Sequence, residues 1–561
     1  MAAKATTPEE SAVQSALQAR TVPEFIEHGR YLTTKALGFP GQHATDIAYY
    51  TPRDLFKMAR KAAQIYTKAG LSGTARSRQA VVALRGKSTI EWVVSSIALI
   101  ELGYTIFAVS PGLAPKTVAI LMEKVNCSTV IDGTSMTDKG ATEALRNTPQ
   151  MAQKTVISLL GLDRLSDTRA ENTEDNGENI QNGHDNTQRW SHISPSDIAL
   201  ILHSSGSTGQ PKLIPKTHNA VMSRLRGLPS RMHGATFMTS WLYYSVGFHS
   251  MLFALLKTGG PSVWASEQIA PNAQDYRKIL TELHPRTAWF NGGSLFAAMS
   301  TSEGLDALGQ CDIVVTTGQV MPKQLGDQLV KSGVRLVNLY GMTELSSGLI
   351  PASQSRSDPD WEYLRPDPAV AQHVCFRPRS DLTGTETAMY EFVVLPSHPT
   401  QDKSFANQPD GSFHTGDLFV QHPTRTDWFK CIGRMSETIR PSPDGLTIVD
   451  LHSLAYEHAV LAVHRSLLQE VMLFGNDRPE PGLLLFTVPN CAIATDEIID
   501  MVYDTLQKEF SSGTLPMAVK RSMLIVIRDV VVPRTGKGTL VRPEVYRIFE
   551  NDIDEAYNKS F

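Results

Sequence analysis

Residues 204–212 read SSGSTGQPK and lie directly after the apolar run ALILH (199–203). A helix-like run, NAVMSRLRGL (219–228), follows shortly afterwards. Small residues let a backbone approach a ligand closely, hydroxyl and main-chain N–H groups can bind phosphate oxygens, and Lys212 adds positive charge. The pattern is not the Walker loop, because its lysine is followed by Leu213. A segment of this composition between a buried strand and a helix predicts a phosphate-binding loop, with a flexible linker as the alternative.

Upstream of this segment, short apolar runs alternate with helix-patterned runs. The sequence predicts strands at AVVALRG (80–86), TIFAVSP (105–111) and STVIDG (128–133), and helices at IEWVVSSIALIELG (90–103) and KTVAILMEKVNC (116–127). Alternation of strands and helices at this spacing is typical of a largely parallel sheet with helices on its faces. The predicted fold class is therefore α/β, with a large N-terminal domain of parallel-rich sheets flanked by helices.

A second, smaller domain is predicted at the C-terminal end. The regular pattern breaks near 433–445, and the sequence then predicts a helix (451–470), the strands VMLFGN (471–476) and GLLLFTVP (482–489), a helix (496–510) and a strand (523–533). These elements suffice for a small, mobile α+β domain. We expect an N-terminal core over 1–433, with a disordered polar insertion near 166–193, and a C-terminal lid domain over 434–561.

Composition narrows the function classes. The chain has 561 residues, 41% of them hydrophobic, and a formal net charge of −4, which argues against a dedicated nucleic-acid binder. Its five cysteines are widely separated, as in reduced proteins. The sequence shows no apolar signal segment at its start, no run approaching 18 apolar residues, and no SKL address in its last residues, NKSF. We therefore expect a cytoplasmic protein with no membrane span and no nucleic-acid partner.

The segment SSGSTGQPK resembles the signature loop of the adenylate-forming superfamily, which contains acyl-CoA synthetases, adenylation domains of nonribosomal peptide synthetases (NRPS) and luciferases. Further motifs follow in the order of that family: LVNLYGMTE (336–344), HTGD (414–417), IGR (432–434) and PRTGKG (533–538). The upstream segment ELGYTIFAVSPGLAPKTVAILMEKV (101–125) is similar as well. Each later motif is weak when taken singly, and their ordered joint occurrence carries the resemblance.

The resemblance implies a role in nucleotide binding for each motif. The residues that would hold the β- and γ-phosphates of ATP are Ser204, Ser205, Gly206, Ser207, Thr208, Gly209 and Lys212. Of the implied catalytic residues, Thr343 would donate a hydrogen bond to the α-phosphate. Glu344 would bind Mg²⁺, a hard cation that suits carboxylate and phosphate oxygens. Asp417 and Arg434 would contact the ribose.

The adenine and the reacting groups complete the implied site. The segment Thr317-Gly318-Gln319 and the side chain of Tyr340 would flank the adenine, and Gly341 belongs to the same nucleotide-binding set. Adenylation requires a carboxylate to attack the α-phosphate while pyrophosphate leaves, so cations and N–H donors are needed where charge develops. Lys537, the third implied catalytic residue, would bridge the substrate carboxylate and the α-phosphate from the C-terminal domain.

The family also implies a hinge between the domains. There the small domain rotates after adenylation and opens a path for a thiol, and the candidate hinge residues are Arg434, Met435 and Ser436. Ser436 stands where Asp or Lys is usual, and Leu213 stands where glycine commonly follows Pro-Lys. The lysine loop is two residues shorter than the usual form. This shorter loop and the segment LGYTIFAVSPGLAP are most similar to fungal NRPS-like enzymes that activate aryl or keto acids.

The acid substrate is indicated by what the pocket segment lacks. Amino-acid-activating domains carry an Asp that pairs with the substrate ammonium, whereas the corresponding stretch here, WLYYSVG (241–247), contains no acid. A buried, unpaired ammonium would cost several kcal/mol, about 3–5, which disfavours an α-amino acid. We expect an aryl, keto or acyl acid. The pocket candidates are Tyr244, Gly247, Asn291, Gly292 and Met342, together with Gly318.

The thiol acceptor and the completeness of the enzyme stay open at this point. No carrier-like serine motif and no second Rossmann fingerprint follow the C-terminal motif. The chain is therefore expected to be an acid–thiol ligase that uses coenzyme A or a carrier-protein phosphopantetheine in trans, or an adenylation fragment of a larger NRPS-like enzyme. An ATP hydrolase or kinase would carry a Walker or kinase motif set, which is missing. A catalytically silent nucleotide-binding relative is the remaining alternative.

Overall fold

The structure of the protein is a computed structural model. It describes residues 8–71, 80–134, 140–166, 192–204, 211–226, 234–257, 259–267, 271–345, 348–352, 355–356, 358–380, 388–399, 403–444, 448–534 and 539–560. The chain packs into two compact units. The first comprises described residues of 1–204, 212–315 and 342–347, and the second those of 205–211, 316–341 and 348–561.

The first unit is built from strands and helices that largely alternate along the chain. Its strands are β1 Leu37–Pro40, β2 Ile47–Tyr50, β3 Val81–Arg85, β4 Thr105–Val109, β5 Thr129–Asp132, β6 Thr155–Ser158, β7 Ile198–His203, β8 Leu213–Thr217, β9 Thr236–Met238, β10 Ser262–Trp264 and β11 Thr287–Phe290. Its helices are α1 Pro8–Gln18, α2 Val22–Glu27, α3 Pro52–Lys68, α4 Ile90–Glu101, α5 Pro115–Lys124, α6 Ala141–Arg146, α7 Leu162–Ser166, α8 His218–Arg226, α9 Ser245–Ala254, α10 Ala273–Leu283, α11 Gly292–Ala298 and α12 Ser302–Gln310. A further strand, β12 Ile313–Thr317, divides between the units.

Two mostly parallel sheets form the core of the first unit. One has the order β6-β5-β3-β4-β7-β8, in which only β8 pairs antiparallel with its neighbour. In the other, β11, β9, β10 and β1 are parallel neighbours and β2 is antiparallel to β1. The central strands β3 and β4 are apolar and almost wholly buried, as expected of parallel strands covered on both faces. The predicted α/β class with parallel-rich sheets flanked by helices is confirmed.

The second unit combines an antiparallel sheet with a small α+β part. Its elements are α13 Lys323–Lys331, β13 Leu336–Leu339, β14 Leu349–Pro351, β15 Leu364–Pro366, β16 Val374–Pro378, β17 Met389–Val394, β18 Phe413–Gln421, β19 Phe429–Arg434, β20 Thr438–Ile439, β21 Leu451–His452, α14 Ser453–His464, β22 Leu468–Phe474, β23 Gly482–Thr487, α15 Thr495–Ser511, β24 Leu524–Ile527, α16 Arg542–Ile548 and α17 Glu550–Ser560. The order β14-β15-β19-β18-β17-β16 forms a six-stranded antiparallel sheet. The sheet β22-β23-β24 packs with α14 to α17 in a separate apolar cluster, which is the small C-terminal α+β domain.

Most predicted elements are present, and two have different lengths. The predicted helix 451–470 ends at His464, and β22 begins at Leu468. The predicted strand 523–533 ends at Ile527, because Asp529 adopts a positive φ of 51° and Val531 is 95% exposed. Most of the predicted insertion near 166–193 lies outside the described residues.

Two expectations from composition can be compared with the described chain. No helix within the described ranges is long and apolar enough to cross a bilayer. All five cysteines are free thiols, in agreement with the expectation of a reduced protein.

Candidate active site

The ends of the 204–212 segment are tied together by a hairpin. β7 and β8 pair antiparallel on either side of it, with His203 opposite Leu213. The main-chain N–H of Ser204 donates to the carbonyl oxygen of Lys212 across 2.9 Å. The Lys212 side chain is exposed. The intervening candidate residues Ser205, Gly206, Ser207, Thr208 and Gly209 lie outside the described residues.

Within the first unit, Lys216 holds the segment that contains Thr343 and Glu344. Lys216 lies on β8 with its side chain buried, and its Nζ donates to the carbonyl oxygen of Glu344 across 2.7 Å. Thr343 is buried, and Glu344 is half-buried. This bond engages the main chain of Glu344 and not its carboxylate. Sequence reasoning missed Lys216, although a lysine on the same strand face as the buried Ile214 was a usable signal.

In the second unit, two side chains orient the carboxylate of Asp417. Tyr340 Oη donates to Asp417 Oδ2 across 2.5 Å, and Arg434 Nε donates to Asp417 Oδ1 across 2.8 Å. The rings of Phe392 and Phe419 pack edge-on against the Tyr340 ring, with centroids 5.6 and 5.2 Å away. Burial, reinforced by the Asp417 charge, raises the pKa of Tyr340 well above its usual value, so its hydroxyl remains a donor. The structure therefore brings together three predicted nucleotide-binding residues.

A buried carboxylate supports the turn that precedes Asp417. Glu391, on β17, accepts from the main-chain N–H of Gly416 across 3.0 Å through Oε1. Its Oε2 accepts from Arg379 and contacts His414, at 3.1 and 3.0 Å. Gly416 has a φ of +71°, a conformation that favours glycine, and the β17–β18 register shifts at this point. Glu391 was missed by sequence reasoning, since no short motif marks it.

The segment predicted to flank the adenine also lies in the second unit. Thr317 Oγ1 donates to the carbonyl oxygen of Leu339 across 2.9 Å and so ties the end of β12 to β13. Gly318 has a φ of +87°, with no atom within 4 Å of the position that a Cβ would occupy. Gly318, Gln319 and Gly341 are all exposed. A glycine here allows the turn and leaves the surface open to a flat ligand.

Comparison with known proteins gives this arrangement a family. The family described as AMP-binding enzyme matches residues 32–372, and the AMP-binding enzyme C-terminal domain matches 451–560. The chain belongs to the AMP-binding enzymes. It is thus a member of the adenylate-forming superfamily, as its motif order indicated, and this membership supports the binding of ATP.

Relatives of this AMP-binding enzyme are fungal adenylate-forming reductases and NRPS-like enzymes. The adenylate-forming reductase Nps11 of Serpula lacrymans is 24% identical over 84% of this chain and 43% of its own length. The non-canonical non-ribosomal peptide synthetase ascB of Acremonium egyptiacum is 26% identical over 86% of this chain and 42% of its own length. The chain therefore spans less than half of these relatives.

Solved structures share the fold. The anthranilate CoA ligase AuaEII, in complex with anthranoyl-AMP, superposes with a TM-score of 0.68 at 16% identity. The match covers 94% of this AMP-binding enzyme and 97% of that chain. At this level of identity the likeness establishes the architecture of the chain and not its substrate.

Some of the predicted acid-pocket residues have a packing or helix-capping role in the first unit. Tyr244 is half-buried and precedes α9. A Cβ on Gly247 would lie 2.1 Å from the carbonyl oxygen of Trp241, so close packing of the backbone accounts for that glycine. The Asn291 side chain caps α11 by accepting from Ser294 N across 2.9 Å.

The two remaining pocket candidates have no such structural role. Gly292 is the buried first residue of α11, and Met342 is half-buried. Tyr244 and Met342 are therefore the candidates with partly exposed side chains, and that of Tyr244 contacts Ser110 and Tyr243.

The hinge candidates form a single turn in the second unit. Met435–Glu437 is a short 3-10 helix directly after β19. Arg379 Nη1 lies 2.7 Å from the sulfur of Met435. Burial raises the pKa of Glu437, although Arg542 and Arg434 act in the opposite direction. The candidate Lys537 lies outside the described residues.

The metal site was predicted on one side chain, Glu344. Within the described ranges, His, Cys, Asp and Glu side chains form no group of three that could hold a metal ion by themselves. A Mg²⁺ carried by nucleotide phosphates needs only one or two protein carboxylates. The half-buried Glu344 fits that requirement.

Proposed function

We propose that this AMP-binding enzyme activates a carboxylic acid with ATP to an acyl-adenylate and then transfers the acyl group to a thiol. The observation that best supports this proposal is that Tyr340 and Arg434 both donate to the Asp417 carboxylate in the second unit. Carboxylate oxygens accept hydrogen bonds from hydroxyl groups, so a carboxylate held in this orientation suits the hydroxyls of a ribose. Both the HTGD motif and the chemistry of the Asp417 carboxylate therefore support binding of the nucleotide ribose.

The activation step joins two anions. An oxygen of the substrate carboxylate forms a bond to the α-phosphorus, the bond from that phosphorus to the bridging oxygen breaks, and pyrophosphate leaves with the bonding electrons. Thr343 would donate a hydrogen bond to the α-phosphate, and Glu344 would hold Mg²⁺, which supplies positive charge beside the phosphates. Lys537 would bring a second cation to the carboxylate as it attacks.

The substrate and acceptor are finer parts of the proposal. The stretch 241–247 supports an aryl, keto or acyl acid over an α-amino acid. The names of the fungal relatives support a carrier-bound phosphopantetheine as the thiol, with coenzyme A as the other acceptor. Because the chain spans less than half of those relatives, it would act as the adenylation part of such a system or together with a carrier in trans.

Two-domain action belongs to the same proposal. A core over 1–433 and a lid over 434–561 would turn about residues 434–436, so that the lid presents Lys537 for adenylation and withdraws it before thiol attack. The match of a separate C-terminal family domain at 451–560 supports this boundary.

The test is acid-dependent pyrophosphate release, measured with aryl, keto, fatty and amino acids in turn. We expect release with one acid class, lowered by about 10²–10³ in Lys537→Ala, comparable to the loss of an oxyanion donor. Lys559→Ala is the matched control, because Lys559 is an exposed lysine that pairs with Glu555 at the surface of α17. Nucleotide binding without release for any acid would overturn the proposal and leave a catalytically silent relative. Phosphate release without any acid would indicate a hydrolase.

A further inference from the structure

Glu267 lies against the acid-pocket segment 241–247 of the first unit, and no sequence motif marks this carboxylate. Glu267 Oε1 accepts from Tyr243 Oη across 2.5 Å, and Glu267 Oε2 accepts from the main-chain N–H of Ser88 across 2.7 Å. The Ser88 hydroxyl also contacts Glu267 and accepts from the N–H of Leu242 across 2.8 Å. The stretch 241–247 contains no acid, but the fold supplies one from the segment that follows β10.

Glu267 differs from most other buried acids of this unit. Glu101 contacts Arg30, and Asp132 lies 3.4 Å from Arg85, so those charges are neutralised. Glu267 forms no ion pair with a lysine or arginine of the described chain, and Lys87 acts on it only weakly from a distance. Even partial burial of a carboxylate without a cationic partner is costly in a folded protein. Such groups are candidates for functional sites.

The position of Glu267 is one where α/β proteins bind ligands. It follows β10, while Ser88 follows β3 and Ser110 follows β4, so the carboxyl ends of strands from two sheets meet here. Tyr243 and Tyr244 directly precede α9 beside them. Clefts outside the carboxyl ends of parallel strands are the usual ligand sites of such folds.

The cluster has a buried base and a partly exposed edge. Ser88, Ser110 and Tyr243 are each 3% exposed, whereas Glu267 and Tyr244 are only half-buried. The rings of Tyr243 and Tyr244 pack edge-on with centroids 4.7 Å apart. The residues that the structure describes place three donors on Glu267, one fewer than the four acceptor positions of a carboxylate. The edge therefore offers an acceptor beside the aromatic ring of Tyr244.

We propose that Glu267 and Tyr244 form a polar subsite that selects acids bearing a hydrogen-bond-donating hydroxyl or amino substituent. This inference rests on the proposed function and names the class of acid that the site would take. An apolar acid would leave the free acceptor of Glu267 desolvated and unpaired, and sites built to bind a polar substituent reject analogues that lack it. Glu267 is a specificity-determining residue in this proposal, without a part in the bond-making step.

The test compares matched acids that differ by one donor: 4-hydroxybenzoate and 4-aminobenzoate against benzoate, and 4-hydroxyphenylpyruvate against phenylpyruvate. In the wild-type chain, kcat/KM for pyrophosphate release should favour the donor-bearing member of a pair. Glu267→Met should lower that ratio at least about 10-fold, by removing a hydrogen bond to a charged group. Glu282→Gln, an exposed acid on α10, is the control and should leave the ratio unchanged.

A second readout separates this proposal from the proposed function. Calorimetry measures the Kd ratio for acyl-sulfamoyladenosines made from the paired acids, and their binding needs no turnover. Absence of pyrophosphate release would overturn the proposed function. The Kd ratio would still test whether Glu267 selects donor-bearing acids. If Glu267→Met does not fold, Tyr243→Phe replaces it as the test. Tyr243→Phe keeps the Glu267 carboxylate and removes one of its donors, so it should increase the preference for the donor-bearing acid. Equal ratios in the wild type, Glu267→Met and Tyr243→Phe would overturn the proposal and make the cluster purely structural.

Discussion

Lys216 is a single side chain that links two of the motifs. It lies four residues beyond Lys212 on β8, and its buried ammonium group donates to the carbonyl oxygen of Glu344. An apolar residue at this position would leave that carbonyl without its charged donor. The segment carrying Thr343 and Glu344 would then lose a fixed point on the sheet.

We expect Lys216→Met to lower acid-dependent ATP–pyrophosphate exchange by about 10–100-fold, because a hydrogen bond to a charged group contributes about 1.5–3 kcal/mol. Lys216→Arg keeps the charge and should retain most of the exchange. Wild-type exchange in a Lys216→Met protein that melts at the wild-type temperature would contradict this role for Lys216.

The sequence could predict the residues of local motifs but not those assembled by the fold. Asp417, Arg434 and Tyr340 stand in short motifs, and the structure brings them into contact. Glu267 lies 24 residues from Tyr243, and only the pairing of β10 with its neighbours places the two together. The hydrophobic pattern of the segments around Tyr243 and Glu267 does not predict that contact.

Strand β17 and the turn at Gly416 form one element of the candidate site. Glu391 binds the Gly416 N–H from β17 at the register shift, so it shapes the turn from which Asp417 follows. Its second oxygen is held by Arg379 and His414. The orientation of Asp417 should therefore depend on a residue that does not touch the nucleotide.

We expect Glu391→Gln to raise the KM for ATP about 5–10-fold, since about 1–1.4 kcal/mol of charged hydrogen bonding is lost. The preference for ATP over 2′-deoxy-ATP should fall in the same variant, because the ribose contact proposed for Asp417 is the one that would be disturbed. Tyr390→Phe is the control, since Tyr390 is adjacent on β17 and its hydroxyl donates to Gln421 across 3.4 Å, while its ring packs edge-on against Phe429. An unchanged preference between the two nucleotides would refute this role of Glu391.

Elements differ in how far the sequence determines them. β3, β4, α4 and α5 were predicted to within a few residues, because an unbroken apolar or helical pattern defines each one. The predicted strand at 523–533 was too long, since its apolar run VVV continues past Ile527 although the chain turns at Asp529. Hydrophobic patterning gives no signal for a single residue with positive φ.

The division of the whole chain into two compact units has a consequence for its unfolding. Each unit contains a buried ion pair of its own: Arg30 with Glu101 in the first, and Arg542 with Glu457 in the second. Arg542 binds both oxygens of Glu457, at 2.8 and 2.6 Å. A single two-state transition is not expected of a chain with two cores.

We expect Arg30→Met and Arg542→Met each to destabilise their own unit by about 3–5 kcal/mol, because a buried carboxylate loses its cationic partner. Hydrogen exchange followed by mass spectrometry should show faster exchange in α4 for the first variant and in α14 and β22 for the second. Equal acceleration of exchange throughout the chain in both variants would show that the units unfold as one.

The hairpin of β7 and β8 restricts the ends of the 204–212 segment when the protein folds, so a ligand of this segment need not restrict them on binding. Because Ser204 and Lys212 are already joined by a main-chain hydrogen bond, the ends of the intervening segment meet before any ligand arrives. Closing a segment of this length costs about 2 kcal/mol, and folding of the hairpin would supply that free energy before the proposed phosphate ligand binds. If this segment binds phosphate as proposed, its affinity should depend on the register of β7 and β8. A one-residue slip of β8 would turn Lys216 away from Glu344 and shift the ends of the loop at the same time.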